Sequence, residues 1–343
     1  MAALLGVLLI LHTTNPASAL STTAVPGTTI TVNSKGDGKK TGNCTLREAI
    51  EAANTNAKVD RCAAGSATER DAIHYSLGDE ATIVLGSELP PITDTFGLHI
   101  NGQKAKITIS GNEQVRVFRV NSGAKLTLNH LKVAGGIANG NSGGGLMNTG
   151  TVKVRNTTFS NNSADFGGGI YNNAGGTLTV TNSTFSENSA SIVGGGIANA
   201  VGPLTVTNST FSGNSAAGAG GGIFNNNGGT LTVTNTIVAN STSGGNCLGD
   251  ITDGGYNIDD GTSCGFSAAN NSMPSTEPLL AAGLANNGGP TKTIALRDAS
   301  PAINAIPQGT NGCGTEVTTD QRGVERPQGK GCEIGAFEKM VSH

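Results

Sequence analysis

The sequence predicts an all-β fold, a parallel β-helix whose coils stack on one another, and three observations support this prediction. The first is a repeat of 26 or 27 residues, marked by the equivalent positions Phe159, Phe185, Phe211 and Val238. A fixed period of this length is typical of solenoids, whose coils bury their apolar sides only when stacked. The second is the alternation of apolar and polar residues within a repeat, as in Leu178 to Thr181, which is strand period. The third is the composition, with 52 Gly, no Trp and 13% charged residues, which argues against a Leu-rich globular enzyme.

The repeats also predict which side chains face inward and where each coil turns. We expect Leu178, Val180 and Phe185 to face the interior and to stack on Leu204, Val206 and Phe211. An Asn recurs two residues after an inward Val. Asn tolerates the left-handed conformation of a tight corner, and stacked amides can bond along such a row. The corner residues are Asn156, Asn182, Asn208 and Asn235. Parallel crossovers are almost always right-handed, so we expect a right-handed β-helix.

The N-terminal part of the chain predicts export and a cap. Residues 1–19 are an apolar run that ends in an A-x-A pattern, typical of a signal peptide. Residues 20–80 are predicted to form an N-terminal cap that contains a strand at Thr29 to Val32. Thr45 and Glu48 have the spacing of a capping box at the start of a short amphipathic helix. Such a helix can cover the open end of a solenoid.

The rest of the chain divides into three parts. Residues 81–246 are predicted to form the β-helix repeats, residues 247–264 a disulfide-closed loop, and residues 265–343 a C-terminal cap. Within this cap, Thr291 to Leu296 and Ile334 to Phe337 have the pattern of short strands. Nothing after the signal peptide is apolar enough to cross a bilayer, so no transmembrane segment is predicted.

Six cysteines lie outside the repeats, and an even number in a secreted chain suggests disulfides. Several pairings are possible. We expect local pairing because each local pair closes a loop of fewer than 20 residues. No C-x2-C spacing indicates zinc. The expected pairs are Cys44 with Cys62, Cys247 with Cys264, and Cys313 with Cys332.

Three groups of motifs resemble segments of secreted bacterial proteins. CTLREAIEAANT, from Cys44 to Thr55, resembles the N-terminal CSLREA-type motif, with Thr45 in place of Ser. The GGGI and FSxN elements, such as Gly167 to Ile170 with Phe185 to Asn188, resemble repeats of polymorphic outer-membrane proteins. The tail segments LANNGGPTKTIAL, SPAIN, TDQRGVERPQ and CEIGAFE resemble the choice-of-anchor Q domain. This resemblance implies a right-handed, pectin-lyase-like β-helix, export and often a cell-surface anchor, without an agreed activity. Only five residues follow Glu338, so we expect the usual anchor to be absent.

The distribution of acids argues against a catalytic repeat region. Between Asn121 and Gly249 the only carboxylates are Asp165 and Glu187, about one coil apart. Polysaccharide-cleaving enzymes need carboxylates clustered in one groove, often with a metal or a basic residue. His130 takes the corner position that Asn occupies in later coils, which favours a structural role. We therefore predict no catalytic residue, and a polysaccharide lyase or glycoside hydrolase on the same fold is the alternative.

Charge and acid clusters limit the possible ligands. From Asn156 to Thr291 there is no Lys or Arg, which argues against nucleic acid and against polyuronate substrates on the repeat face. Ca2+ prefers oxygen ligands on loops, but Asp in turns is the commoner explanation for this pattern. We predict no metal or other cofactor, with Ca2+ as the alternative. The aspartates of this cluster are Asp250, Asp253, Asp259 and Asp260.

Outward threonines form an array with strand and coil spacings, which makes an ice-binding solenoid a further alternative. Thr is also the favoured outward residue on a sheet, and Pro203, Lys153 and Arg155 interrupt the array. Its members are Thr179, Thr205 and Thr232, with Thr181, Thr207 and Thr234 beside them. The preferred interpretation is a non-catalytic extracellular protein, secreted or loosely surface-associated, with an adhesin-like, envelope or matrix role. Its partner is predicted to be an extracellular protein or glycan that the sequence does not identify.

Overall fold

A computed structural model describes residues 27–38 and 41–340, and the predicted signal peptide at 1–19 lies outside this part of the chain. The described residues form a nearly all-β, parallel β-solenoid of about seven turns with one short helix. The predicted parallel β-helix is thereby confirmed.

Four parallel sheets run along the solenoid, and only the regular coils from Ile137 to Ala239 pass through all four in turn. The nine-stranded sheet contains Thr29–Val32, Asp71–Tyr75, Leu98–Asn101, Lys125–Asn129, Thr151–Arg155, Thr177–Thr181, Pro203–Thr207, Thr230–Thr234 and Thr252–Asp253. The eight-stranded sheet contains Glu80–Val84, Lys106–Ser110, Leu131–Ala134, Thr158–Ser160, Thr184–Ser186, Thr210–Ser212, Ile237–Ala239 and Ile258–Asp259. The six-stranded sheet contains Phe118–Val120, Leu146–Asn148, Ile170–Asn172, Ile197–Asn199, Ile223–Asn225 and Cys247–Leu248. The four-stranded sheet contains Ile137–Ser142, Ser163–Phe166, Ser189–Val193 and Ser215–Ala216.

The interior contains the apolar rows that the repeats predict. Leu178 pairs with Leu204 and Val180 with Val206 in adjacent strands, and all four side chains are buried. The rings of Phe159, Phe185 and Phe211 stack with centroid separations of 5.2 and 4.6 Å and an interplanar angle of 4°. This stack crosses three coils, so the predicted inward register is confirmed.

The glycine triplet that begins each repeat allows the backbone of neighbouring coils to approach the phenylalanine stack. In the triplet of residues 194–196, Gly194 has a φ of +72°, which non-glycine residues rarely adopt. A Cβ atom at Gly196 would lie 2.5 Å from the carbonyl oxygen of Gly222 and 2.9 Å from the ring of Phe211. Larger residues would therefore push the coils apart.

Two rows of buried asparagines bond from coil to coil. In the first amide row, each Asn Nδ2 donates to the Oδ1 of the next Asn at 2.7 Å. In the second amide row, the corresponding distances are 2.9 and 3.0 Å. Because every amide both donates and accepts, these polar side chains can occupy a buried position. The first amide row is Asn148, Asn172, Asn199 and Asn225, and the second is Asn162, Asn188 and Asn214.

The predicted corner asparagines turn the chain but do not form a further amide row. Asn156, Asn182, Asn208 and Asn235 have φ between 47° and 51°, so the predicted left-handed corner is confirmed. The prediction that their amides bond to one another is wrong. Asn182 donates instead to the carbonyl of Thr319, and Asn235 to that of Asn311, because the corners lie beside the C-terminal segment.

The N-terminal helix spans Leu46–Thr55, and its predicted capping box is present. The Thr45 N–H donates to Glu48 Oε2 at 2.9 Å, and the Glu48 N–H donates back to Thr45 Oγ1. Leu46 and Ile50 are fully buried in the same cluster as Ile30 of the first strand. The helix packs against the strands Thr29–Val32 and Asp71–Tyr75 at one edge of the nine-stranded sheet.

Residues 247–264 are closed by a disulfide and also add a coil to the solenoid. Within this segment, Cys247 pairs with Ile223, and Ile258 pairs with Ile237. All six cysteines are bonded as expected from local pairing, and no described cysteine is free. The three disulfides join Cys44 to Cys62, Cys247 to Cys264, and Cys313 to Cys332.

The C-terminal segment, residues 265–340, folds along the outside of the eight-stranded sheet. The predicted strands at Thr291 to Leu296 and Ile334 to Phe337 do not form, and single bridges such as Ala285 with Thr293 occur instead. This segment does not continue a sheet because its backbone bonds to outward side chains of the coils. Its regular elements are an antiparallel pair, Ile306–Pro307 with Gly331–Cys332, and 3-10 turns at Ala268–Asn270 and Thr310–Gly312. In the described part of the chain, no helix is long and apolar enough to span a membrane.

Candidate functional site

A groove of about 540 Å3 crosses the outer face of the nine-stranded sheet near the N-terminal end of the solenoid. We call it the basic groove. Its strands are Leu98–Asn101, Lys125–Asn129 and Thr151–Arg155. Its positively charged lining comes from Arg70, Lys125, Lys153 and Arg155, and His99 lies among them.

Parallel register arranges the lining side chains in rows. His99, Thr127 and Lys153 are partners on three successive strands, so they follow one another at about 4.8 Å, the spacing of neighbouring strands. Asn129 and Arg155 form a second row, two residues further along the same strands. Because residues two apart share a face of a strand, both rows point into the groove.

The other two cations flank a glycine. A Cβ atom at Gly97 would lie 3.4 Å from the side chains of both Arg70 and Lys125. The absence of a side chain at this position therefore keeps the groove open between them. Phe96 is 50% exposed and adds an aromatic ring to the wall.

The groove carries an uncompensated positive charge. No carboxylate lines it, and none of Arg70, Lys125, Lys153 and Arg155 forms a salt bridge with another described residue. All four side chains are exposed. Unpaired guanidinium and ammonium groups in a concave surface attract anions, because the concave wall concentrates their field.

Histidines add neutral donors and acceptors rather than charge. Burial lowers the pKa of His99 to about 4, and the nearby charges of Arg70 and Arg155 contribute to this shift. Burial also lowers the pKa of His74, whose Nδ1 lies 3.0 Å from Nε2 of Gln103. At neutral pH the ring of His99 is therefore uncharged and can hydrogen-bond to a ligand hydroxyl.

The basic lining ends abruptly at one strand. On the next strand, Lys153 and Arg155 have Thr179 and Thr181 as their partners. Threonine then continues along both rows, so the predicted array is in register. The rows are Thr179, Thr205 and Thr232, and Thr181, Thr207 and Thr234.

The two candidate catalytic acids are not brought into one groove. Asp165 lies in the four-stranded sheet and accepts a hydrogen bond from Ser191 Oγ at 2.7 Å. Glu187 follows the strand Thr184–Ser186 of the eight-stranded sheet and occupies a left-handed corner with φ 56°. Neither residue lines the basic groove.

Two aspartates of residues 250–260, Asp253 and Asp259, stabilise turns, whereas Asp260 accepts a hydrogen bond from the backbone N–H of Asn240 in a preceding segment. Asp259 accepts hydrogen bonds from the amides of Gly261 and Cys264, which confirms the turn interpretation. Burial acts to raise the pKa of Asp253, but hydrogen bonds outweigh burial and hold this pKa below its ordinary value. Their donors are Gly255 N, Ser267 N, Ser272 Oγ and Asn257 Nδ2. Among the described residues, no group of three or more His, Cys, Asp or Glu side chains could hold a metal ion.

His130 has the structural position that the sequence predicts. Its φ of 52° matches those of the corner asparagines, and burial lowers its pKa. The basic groove itself was missed by sequence reasoning. The absence of Lys and Arg after Asn156 holds for the later coils, whereas all the groove cations lie at residues 70–155. Lys153 and Arg155 at outward positions of a repeat were the available signal.

Comparison with known protein families finds no match for this chain, and neither does comparison with curated proteins or with solved structures.

Proposed function

We propose that this protein is a non-catalytic, secreted or surface-associated β-helix protein that binds an anionic glycan in the basic groove. The observation that supports this proposal most directly is the convergence of Arg70, Lys125, Lys153 and Arg155 without any lining carboxylate. Arg and Lys recognise carboxylate and sulfate groups through charge-assisted hydrogen bonds. Three disulfides support an oxidising, extracellular environment.

A glycan suits the rest of the lining. The hydroxyl groups of Thr127 and Thr151, the amide of Asn129 and the neutral ring of His99 offer hydrogen-bond partners for sugar hydroxyls. The exposed ring of Phe96 offers an apolar face. The groove runs across strands, and an extended polymer could continue over the threonine rows of the later coils.

A non-catalytic role is favoured because the groove contains no acid. General acid–base cleavage of a glycosidic bond by hydrolysis uses paired carboxylates, and Asp165 and Glu187 lie outside the groove. The pKa of His99, about 4, makes its neutral imidazole a weak base at neutral pH.

The test is equilibrium binding of purified protein to polygalacturonate, heparin, neutral dextran and duplex DNA at low and high salt. We expect binding to the acidic glycans that weakens with salt, and no binding to dextran. Lys153→Thr/Arg155→Thr installs the residues that the next coil already carries, and should raise the Kd about tenfold or more, since one charged hydrogen bond contributes about 1.5–3 kcal/mol.

A matched control removes two exposed lysines outside the groove, Lys104→Thr/Lys330→Thr, and should leave the Kd unchanged. Equal losses in both variants would mean that net charge alone drives binding. Preference for DNA would contradict the glycan assignment. Appearance of new reducing ends or unsaturated products would favour the enzyme alternative.

A second candidate, ice binding, is favoured by the two in-register threonine rows. Thermal hysteresis that disappears in Thr205→Lys would support it. Its absence would leave the rows as ordinary outward sheet residues.

A further inference from the structure

A second groove, of about 290 Å3, lies where the C-terminal segment meets the outer face of the eight-stranded sheet. Lys106 and Lys132 approach it from two neighbouring strands, and Lys292 from the C-terminal segment. We propose that this lysine pocket, formed by Lys106, Lys132 and Lys292, is an anion-binding site for a sulfate, phosphate or carboxylate group. It lies on a different sheet from the basic groove and does not rest on the function proposed there.

Lys132 is an exception in a row of outward threonines. Its partners on the adjacent strands are Thr108 and Thr158, and the row continues through Thr184 and Thr210. From Thr158 onward, the threonines are buried under the C-terminal segment. Thr158 Oγ1 donates to the carbonyl of Lys292 at 2.7 Å. The C-terminal segment therefore begins to cover the row at Thr158, next to Lys132. The pocket lies at this edge of the covered region.

The charges in the pocket are unbalanced. Three amines face one carboxylate, Glu80, which is the strand partner of Lys106. None of the three lysines forms a salt bridge within the described chain. Burial and the neighbouring charge of Lys292 lower the pKa of Lys132, although Glu187 partly offsets this. Two cations on separate segments repel each other, and a bound anion would relieve this repulsion.

The walls of the pocket are held in place before any ligand binds. Lys292 O accepts the hydrogen bond from Thr158, and its neighbour Thr291 is bonded to the buried amide of Gln321. Gly289 packs so closely that a Cβ atom there would lie 2.7 Å from Cα of Arg322. Preorganised walls reduce the entropy cost of binding. Thr108 and the exposed Asn286 line the same space and supply neutral donors.

The experiment measures thermal unfolding with increasing sulfate, phosphate or monomeric galacturonate, each against sodium chloride at equal ionic strength. We expect a Tm that rises with the logarithm of anion concentration, because ligand binds only the folded state. Titration calorimetry with the most effective anion gives the Kd and separates a free inorganic ion from a sugar acid as the preferred ligand.

Lys132→Thr introduces the residue type that its strand partners Thr108 and Thr158 carry. Lys292→Ala removes the lysine that the C-terminal segment contributes. In the background of the groove variant Lys153→Thr/Arg155→Thr, which weakens the competing cationic surface, each should abolish the anion-specific Tm rise or weaken the Kd about tenfold or more. Lys330→Thr and the groove variant Lys153→Thr/Arg155→Thr should retain it. Equal Tm gains in all variants, or no gain over sodium chloride in the unmodified protein, would overturn the proposal. Failure of the groove variant to bind glycan would not affect this result.

Discussion

Truncation of the central phenylalanine, Phe185→Ala, tests the stacked core most directly. Its ring is fully buried between Phe159 and Phe211, at centroid distances of 5.2 and 4.6 Å. Burial of an aromatic side chain removes about 150–250 Å2 from water, and Phe→Ala in a packed core costs about 3–5 kcal/mol. Coils that are joined by hydrogen bonds on both sides cannot close the resulting cavity.

The position of Phe185 adds a difference that can be measured. Phe185 stacks on two rings, whereas Phe211 stacks on one, because its partner on the other side is Val238. An aromatic pair contributes about 0.5–1.5 kcal/mol beyond burial. We therefore expect Phe185→Ala to lower the free energy of unfolding by about 4–6 kcal/mol. This loss should be larger than the loss in Phe211→Ala by the contribution of about one stacked aromatic pair.

The assay is urea unfolding followed by far-UV circular dichroism, since the chain has no Trp, together with calorimetry to detect partial unfolding of the array. Phe185→Val is the control, because valine occupies this row at Val133 and Val238, and it should lose less than the alanine variant. A loss below about 1 kcal/mol, or a larger loss in Phe211→Ala, would refute the stacking argument.

Three further predictions follow from other contacts. Asn188→Ala should lower the free energy of unfolding by at least about 2 kcal/mol, measured by urea titration, because buried amides on both neighbouring coils lose a partner. Burial and the neighbouring Glu338 raise the pKa of Glu333 to about 9. Because Glu333 ionises at a lower pH in the unfolded chain, the free energy of unfolding should fall as pH rises from about 4.5 to 9, and Glu333→Gln should make this fall smaller when unfolding is measured across that pH range. Thr179→Lys/Thr181→Arg should extend the basic groove by one coil and tighten acidic-glycan binding without changing Tm. Unchanged affinity would place the binding surface elsewhere.

The sequence predicts those features that depend on local pattern. Phe185 and Val180 repeat at coil spacing, so their inward stacking follows from periodicity, and Thr45 with Glu48 predicts the helix start from four adjacent residues. The C-terminal cover does not repeat, and its contacts are distant in sequence. Thr158 and Lys292 bond across 134 positions, and no periodic signal relates them. The predicted strand at Thr291 to Leu296 is therefore replaced by side-chain contacts that the pattern alone does not contain.

The basic groove and the lysine pocket share an origin in departures from the repeat. Inward positions are constrained by the stack, so they change little from coil to coil. Outward positions are free of this constraint, and threonine fills most of them because it suits a sheet surface. Lys132, Lys153 and Arg155 replace threonine at such positions without any structural requirement for a charge. An unpaired cation at a position where the fold accepts threonine contributes little to stability, and this agrees with the anion binding that we propose for both sites.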